Sequence, residues 1–179
     1  YHTGYEPYAL NAPLAGLFDA RLESGDSQCV RLCGPGERHL LVGPAASPAR
    51  TGTVEDAQGD WQLADIRAGL PVITAATTGE FVPQMVNLDL LEGISFTKGC
   101  YTGQETVARI KTYGHVNRRL VGLRSDADLP SGTPLRRAAG DEKPAGRVTS
   151  SARSPRFEGT IALGTVPREL AEPGSRLVA

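Results

Sequence analysis

Apolar and polar residues are arranged differently in the front and rear parts of the chain. From Val116 onward, short β-type runs such as "VNRRLVGLRS", "AGRVTSS" and "TIALGTV" alternate with turns such as "DLPSG" and "AEPG". Regular spacing of this kind is typical of a small antiparallel barrel or sandwich. The earlier part mixes helical and extended patterns. We therefore predict two units, an α+β body over residues 1–118 and an antiparallel β module over residues 119–179.

The α+β body begins with a predicted hairpin and continues with a helix. Between residues 28 and 43, "QCVRL" and "RHLLVG" are typical of two short strands joined by a turn that contains Gly and Pro. A helix is predicted through "WQLADIRAG", with Asp60 as its cap and Gly69, followed by Pro71, as its end. "LPVITAATTG" is predicted to be extended, and residues 83–91 to hold at most one or two helical turns.

The clearest local pattern lies between residues 94 and 114. "ISF" is typical of a short strand, "TKGCY" of a loop, and "TGQETVARIKTYG" of a helix. Thr102 and Glu105 have the spacing of a capping box, in which each side chain accepts from a backbone N–H at the helix start. Gly114 would end the helix. The pattern predicts a strand–loop–helix unit with Cys100 in the loop.

Composition and charge exclude several classes of protein. The 179 residues are 40% hydrophobic, and 19 basic against 20 acidic side chains give a net charge of -1. This balance argues against a general electrostatic nucleic-acid binder, which needs a basic face. No apolar run approaches the roughly 18 residues of a membrane span, so we expect no membrane partner. Residue 1 is Tyr and the only methionine is Met85, so we interpret the chain as the later part of a longer protein.

The cysteines indicate a reducing compartment. Three cysteines are too few, and odd in number, for a disulfide scaffold, so we expect free thiols and a cytoplasmic location. Cys29, Cys33 and His39 form a possible metal-ligand group. The usual zinc pattern has two closely spaced pairs, however, and a buried strand is the favoured interpretation. We predict no metal site.

Cys100 has the sequence surroundings of a reactive thiol. A thiol just ahead of a helix faces unpaired N–H groups and the positive end of the helix dipole, and Lys98 adds positive charge. Gly99 and Gly103 allow the backbone to approach a ligand closely. The alternative is a small residue buried for packing. His115 lies past a helix of about 15 Å, so a Cys–His pair is not predicted.

The segment "KGCYTGQE", residues 98–105, resembles the signature of the YgfZ family of folate-binding proteins. The surrounding stretches "GLPVIT", "FVPQMVNLDLLEGISF" and "ETVARIKTYGHVNRRLVGL" are similar to the same family in order and spacing. The resemblance is strong from Trp61 to Leu123, looser through the β module and weak before residue 28. A match of this length around a cysteine is far more specific than a Gly-rich loop alone.

Membership of that family would imply a fold and a role that the composition does not show. The fold would be that of the glycine cleavage T-protein, an α+β body with a central tetrahydrofolate site followed by a small antiparallel β-barrel. The chain would then hold the later part of that body, and the missing earlier part would complete the folate pocket. The family is linked to the maintenance of iron–sulfur enzymes, including radical enzymes that thiolate tRNA. Folate, iron–sulfur enzymes and cluster-assembly proteins are therefore the expected partners, with an indirect or weak link to tRNA.

The resemblance also implies roles for individual residues. Cys100 would be the functional thiol, with Lys98 beside it. The residues expected on the folate side are Trp61, Gly99, Tyr101, Gly103, Gln104 and Glu105. An indole face can stack on a flat pterin or benzoyl ring, although a single Trp on a capped helix can equally be a core anchor.

Two further groups have ordinary structural explanations that we favour. Gln84, Asn87 and Asp89 could bond pterin donors or cap a turn, and turn capping is the preferred interpretation. The basic residues around the second helix are Arg109, Lys111, Arg118 and Arg119. They could attract a glutamyl tail of folate or an RNA backbone, but a solvated face is the more common use of such charges.

The sequence thus leaves three functions to compare. The leading hypothesis is a folate-binding accessory protein that supports iron–sulfur clusters and thereby tRNA modification, with Cys100 as its thiol. The alternative is a folate-dependent aminomethyl or methyl transferase like the T-protein, which would need a carboxylate beside the folate nitrogen. The third is a tRNA-interaction module that uses the basic group.

Overall fold

The computed structural model describes residues 58–179, except for the side chains of Gln58 and Asp60. Before residue 58 it describes the backbone of four strands and the side chain of Arg38. These strands are β1 (His2–Thr3), β2 (Phe18–Leu22), β3 (Gln28–Leu32) and β4 (Arg38–Val42).

Strands β2, β3 and β4 form an antiparallel three-stranded sheet. The predicted hairpin is confirmed, because Val30 of β3 pairs with Leu40 of β4. The sheet also contains β2, which the sequence analysis did not predict and which pairs with β3 along its whole length. Cys29, Cys33 and His39, the possible metal-ligand group that the sequence analysis did not favour, lie outside the described side chains.

The rear part of the chain forms most of a six-stranded antiparallel sheet. Its strands are β5 (Arg118–Ser125), β6 (Pro134–Leu135), β7 (Gly146–Ser154), β8 (Gly159–Pro167) and β9 (Ser175–Arg176). Their order is β6-β7-β8-β5-β1-β9, so β1 from the start of the chain lies between β5 and β9. The predicted β-rich pattern is confirmed. A register shift between Val148 and Ser150 marks a bulge in β7, a feature that bends a strand.

Alternate residues of the central strands point to opposite sides of this sheet, and apolar residues occupy both sides. One face holds a cluster of buried residues that includes Leu123, Leu135, Val148, Ala162 and Val166. Strand β8 lies between β5 and β7 and is buried from Gly159 to Val166. This cluster is the interior of the small barrel.

The opposite face is covered by the α+β part. Helix α1 (Gln58–Ala68) packs on β7 and β8. Ile66 of this helix and Val86 of a following 3-10 turn join Leu120, Ile161 and Leu163 in a second buried cluster. Along β5 and β8, successive residues therefore alternate between the barrel interior and the face that packs against the rest of the chain.

The segments between α1 and β5 depart from the predictions in three places. Helix α1 begins at Gln58, so Asp60 lies inside it rather than at its cap, although Gly69 ends it with a φ of 70°. The segment predicted to be extended ends in a turn in which Thr77 and Thr78 bond to the carbonyl of Thr74.

The predicted strand "ISF" is wrong, because residues 94–96 belong to neither of the described sheets. The 3-10 turn Pro83–Val86 agrees with the prediction of at most two helical turns. Among the described helices, none combines the length and the apolar character that a membrane span requires.

Candidate functional site

Cys100 lies in an exposed loop that leads into helix α2 (Gln104–Tyr113). We call residues 94–103 the cysteine loop. The thiol is exposed, so the alternative of a cysteine buried for packing is wrong. Gly99 and Gly103 are also exposed, and an added Cβ at either would meet no atom within 4 Å. The cysteine is therefore accessible from solvent at the start of a helix.

The start of α2 differs from the predicted capping box. Its N-cap is Gly103, with a φ of 84°, and no side chain caps the helix. The Gln104 Oε1 atom accepts the backbone N–H of Tyr101 at 3.2 Å, which closes the turn. Glu105 accepts from Arg109 at 2.7 Å instead of reaching back to the cap. The left-handed glycine places Thr102 one residue outside the cap, so the reciprocal pairing cannot form.

Two cation–π contacts shape the cysteine loop. The Lys111 ammonium lies 3.8 Å from the ring centroid of Phe96, which holds the beginning of the loop against the last turn of α2. The Lys98 ammonium lies 4.7 Å from the ring centroid of Tyr101. The predicted positive charge beside Cys100 is therefore present in the loop, where it is directed onto an aromatic ring.

Gln84 links α2 to the rest of the molecule. Its side chain is 3% exposed, and its Nε2 atom donates to the carbonyl of Val107 at 2.9 Å. Val107 is also the buried residue of the helix. The Gln84 Oε1 atom is buried and has no hydrogen-bond partner among the described residues. The helix that follows the cysteine is thus fixed by one apolar residue and one amide.

Arg119 fixes the 3-10 turn to the barrel. Its guanidinium donates to the carbonyl of Gln84 at 3.0 Å and to the Asp89 carboxylate at 3.1 Å. Asn87, in the left-handed conformation, donates from its amide to the carbonyl of Leu120 at 2.8 Å. Asn87 and Asp89 therefore have the structural role that the sequence analysis preferred, and a continuous network runs from β5 to α2.

The basic group predicted around α2 does not form one surface. Arg119 points into the network, and Arg118 donates to the carbonyl of Ala145 at 2.7 Å. Arg109 is paired with Glu105 on the exposed side of the helix. Lys111 lies on Phe96. Adjacent residues of a strand point to opposite faces, which is why Arg118 and Arg119 separate.

Trp61 lies on α1 at the side of the three-stranded sheet. The Arg38 guanidinium of β4 lies 4.9 Å from the centre of the indole ring, and Arg38 also pairs with Asp65 of α1 at 2.7 Å. The indole is half-buried. One face of Trp61 is therefore engaged by an arginine, a contact that the sequence analysis did not foresee.

Among the cavities lined by residues that the structure describes, two open ones border the barrel. The larger, of about 700 Å³, is lined by residues that include His115, Asn117, Arg118 and Arg168. The second, of about 480 Å³, lies between the 3-10 turn and the barrel and is lined by residues that include Phe81 and Arg147. Trp61 and the residues of the "KGCYTGQE" segment line neither cavity. No group of three or more His, Cys, Asp or Glu side chains within the described part could hold a metal ion.

The sequence analysis missed two contacts that position the site, the hydrogen bond from Gln84 to Val107 and the cation–π contact of Lys111 with Phe96. The one sequence feature that could have indicated the Gln84 hydrogen bond is the position of a glutamine within the apolar run "FVPQMV". Nothing in the spacing indicates the second, because Phe96 and Lys111 meet only after the loop folds back along the helix.

The strand order and the two apolar faces define the class of protein. Residues 118–179 match the glycine cleavage T-protein C-terminal barrel domain, so the chain has a T-protein-like fold with a small barrel. The chain also matches a more particular group. The chain is 40% identical over 138 residues, 69% of its length, to "tRNA-modifying protein YgfZ" of Serratia proteamaculans. It is 39% identical over 113 residues to the protein of that name from Colwellia psychrerythraea.

The chain is therefore a homologue of the YgfZ proteins, and its predicted resemblance to that family is confirmed. The matched part spans 42% of the Serratia protein and 35% of the Colwellia protein. The division at residues 118 and 119 and the roles assigned to single residues stay predictions.

Proposed function

We propose that this chain has a YgfZ-type role in tRNA modification, with the Cys100 thiol as its working group. The observation that carries the proposal is the exposed cysteine in the "KGCYTGQE" loop at the start of α2. The two relatives are named as tRNA-modifying proteins, which supports the same process here. A free thiol also suits a reducing compartment, so the proposal includes a cytoplasmic location.

Within that role, the finer proposal is an accessory protein that supports iron–sulfur enzymes rather than a classical enzyme. No general base is placed beside Cys100 by the described contacts of its loop, since the Lys98 ammonium lies over the Tyr101 ring. An accessible thiol without such a base suits the handling of a cluster or of a partner's thiol better than acyl or group transfer. Its partners would be iron–sulfur enzymes or cluster-assembly proteins.

Tetrahydrofolate is the proposed ligand. The support from the described residues is a half-buried indole at Trp61 and one buried acceptor without a partner, Gln84 Oε1. The indole lies on α1 and the Gln84 amide on the 3-10 turn, and the Arg38 guanidinium lies over the indole ring. No step of the proposal passes through folate.

The decisive experiment replaces Cys100 in cells that depend on this protein for an iron–sulfur-dependent tRNA thiolation. We expect Cys100→Ala to abolish the thiolated nucleoside, measured by mass spectrometry of digested tRNA, while the unfolding midpoint stays unchanged because the side chain is exposed. Thr102→Ala, another exposed change in the same loop, is the matched control and should keep the modification. Full modification by the Cys100 variant would remove the thiol from the mechanism.

A folate titration followed by Trp61 fluorescence tests the ligand. We expect quenching of the Trp61 fluorescence that saturates with tetrahydrofolate. An unchanged spectrum would count against folate without touching the thiol proposal.

The T-protein barrel domain gives one specific reason to keep the alternative of a folate-dependent aminomethyl transferase. Release of ammonia and methylene-tetrahydrofolate from an aminomethylated carrier protein would distinguish it. Turnover in that assay would replace the accessory role with an enzymatic one.

A further inference from the structure

The cavity of about 480 Å³ between the 3-10 turn and the barrel has the size of a site for a small molecule. Two parts of the chain supply its apolar lining. Phe81 and Met85 come from the segment before α2, and Pro134 and Pro144 come from the barrel part. An aromatic ring, a thioether and two proline rings suit contact with a flat apolar group.

Two arginines line the same cavity, Arg118 of β5 and Arg147 of β7. Strand β8 lies between these two strands. Arg118 is opposite Pro167 of β8 in the register, and Arg147 is opposite Thr165. Because Thr165 and Pro167 are two positions apart on β8, the residues paired with them share one face of the sheet. The register therefore places the two arginines on the same face, one on each side of β8.

The contacts of these arginines leave donors for a ligand. Arg147 pairs with the Glu80 carboxylate, and its guanidinium lies 5.7 Å from the ring centroid of Phe81. Arg118 donates from Nη2 to the carbonyl of Ala145 at 2.7 Å. Within the described part, the hydrogen bonds and the ion pair of both arginines involve Nη2, whereas a guanidinium carries five N–H donors. Glu80 is the one acidic side chain in the described lining, so that lining has a net charge of +1.

We propose that this cavity binds a small aromatic monocarboxylate. The ring would lie against the apolar lining, and the carboxylate would accept from the Arg118 guanidinium, whose planar fork matches a carboxylate. Glu80 already compensates Arg147, so one positive charge remains, which matches a monoanion better than the nearly doubly charged phosphate monoester. The inference goes beyond the proposed function, because the segment that carries Cys100 does not line this cavity.

The test titrates the full chain with benzoate by isothermal calorimetry and follows the Nε–H signal of Arg118 by NMR. We expect a Kd of about 1 mM or tighter, which is within reach of a ligand of this size, and a shift of the Arg118 signal. Benzamide keeps the ring without the charge, and acetate keeps the charge without the ring. Each should bind at least about tenfold more weakly, because each lacks one of the two contacts. Phenyl phosphate should bind no more tightly than benzoate.

Four variants test the assignment to this cavity. Arg118→Gln should weaken benzoate binding at least about tenfold, the loss of a hydrogen bond to a charged group. Glu80→Gln should tighten it about threefold, because it removes a competing carboxylate and releases Arg147. Met85→Trp, which fills the cavity and keeps both arginines, should abolish binding even if the Arg118 variant fails to fold. Arg168→Gln is the matched control, since Arg168 lines the larger cavity, which Arg118 also borders, and does not line this one.

The proposal is overturned if about 20 mM benzoate gives neither heat nor a shift, or if benzamide binds as tightly as benzoate. Equal weakening by Arg168→Gln would assign the binding to the larger cavity. Tighter binding of phenyl phosphate would replace the carboxylate with a phosphate, and displacement of benzoate by tetrahydrofolate would remove the claim of a separate site. Cys100→Ala should bind benzoate normally whether or not it supports tRNA thiolation, so the two proposals fail independently.

Discussion

Strand β8 and helix α2 are of similar length but have opposite surroundings. In β8, every residue from Gly159 to Val166 is buried between two neighbouring strands. In α2, Val107 is the buried residue, and the helix ends in a tyrosine that is 86% exposed. The strand is held by packing on both of its faces, whereas the helix is held by one side chain and the Gln84 amide.

The difference shows how this fold separates stability from chemistry. The barrel and the cluster around Ile66 supply buried apolar area, and the Arg119 network carries their rigidity to the 3-10 turn. The cysteine loop and α2 contribute little burial, so their residues are available for a partner. Segments with few buried contacts open at lower free energy than a core, which suits a segment that has to meet other molecules.

The largest expected effect comes from the barrel interior. Leu123 is 0% exposed, so Leu123→Ala should lower the free energy of unfolding by about 2–5 kcal/mol, through lost burial and the cavity that remains. Phe96→Ala in the cysteine loop removes a larger side chain but should cost at most about 1 kcal/mol, the worth of an exposed cation–π contact. Urea denaturation followed by circular dichroism measures both. Equal losses would show that the loop contributes to the core after all.

The second effect isolates backbone conformation in the cysteine loop. Gly103 has a φ of 84°, and a Cβ there would meet no atom within 4 Å; the same space is open at Gly99. Gly103→Ala should therefore cost about 1–2 kcal/mol from left-handed strain alone, and Gly99→Ala almost nothing. Hydrogen exchange of the α2 amides is the measurement, because the strain acts on the start of that helix. A similar response from both variants would show that the loop rearranges freely.

Sequence patterns predicted the barrel well and the site less well, for one physical reason. Strands β5, β7 and β8 follow apolar runs separated by Gly and Pro, and these signals are local. The start of α2 depends on one dihedral angle at Gly103, which overrode a capping box that is correct in spacing. The contacts Gln84–Val107 and Phe96–Lys111 join residues far apart in the chain, so no local pattern reveals them.

The position of Cys100 could be predicted because the "KGCYTGQE" segment is contiguous, and its exposure agrees with the expectation of an accessible thiol. The basic group could not be resolved from sequence, since the inward direction of Arg119 depends on Asp89, thirty positions away. The Arg38 contact on Trp61 likewise needs the sheet to be folded.

A third effect concerns the link between the two regions. Gln84→Met keeps the side-chain volume but removes the donor to the Val107 carbonyl, so exchange of the α2 amides should rise about tenfold, the equivalent of one lost hydrogen bond. Amides of β8 should keep their protection. Gln62→Met, an exposed change of the same type on α1, is the control. Faster exchange in β8 as well would mean that Gln84 stabilises the whole fold and not α2 in particular.

The smallest effect lies on the outer surface of the barrel part. A backbone N–H of the same residue, followed by the Arg137 guanidinium, holds the pKa of Glu169 below its ordinary value of 4.5. A lowered pKa in the folded state means that the carboxylate stabilises the fold above pH 4.5, and that this contribution is lost as the pH falls through the folded-state pKa. Glu169→Gln should therefore be slightly less stable than the parent at pH 7, and the gap in urea midpoint should close in acid.

Arg137→Gln removes the ion pair but leaves the backbone N–H, which is the largest cause of the lowered pKa, so its loss at pH 7 should be smaller than that of Glu169→Gln. A larger loss from the arginine change would make the ion pair, and not the backbone N–H, the main stabiliser of the carboxylate. Because both side chains are more than half exposed, raising the salt concentration should shrink the arginine effect first. The same increase in salt should not reduce the stability loss of the Leu123 variant, because that loss comes from buried apolar contacts. The salt series therefore distinguishes the exposed charges of this region from its buried core.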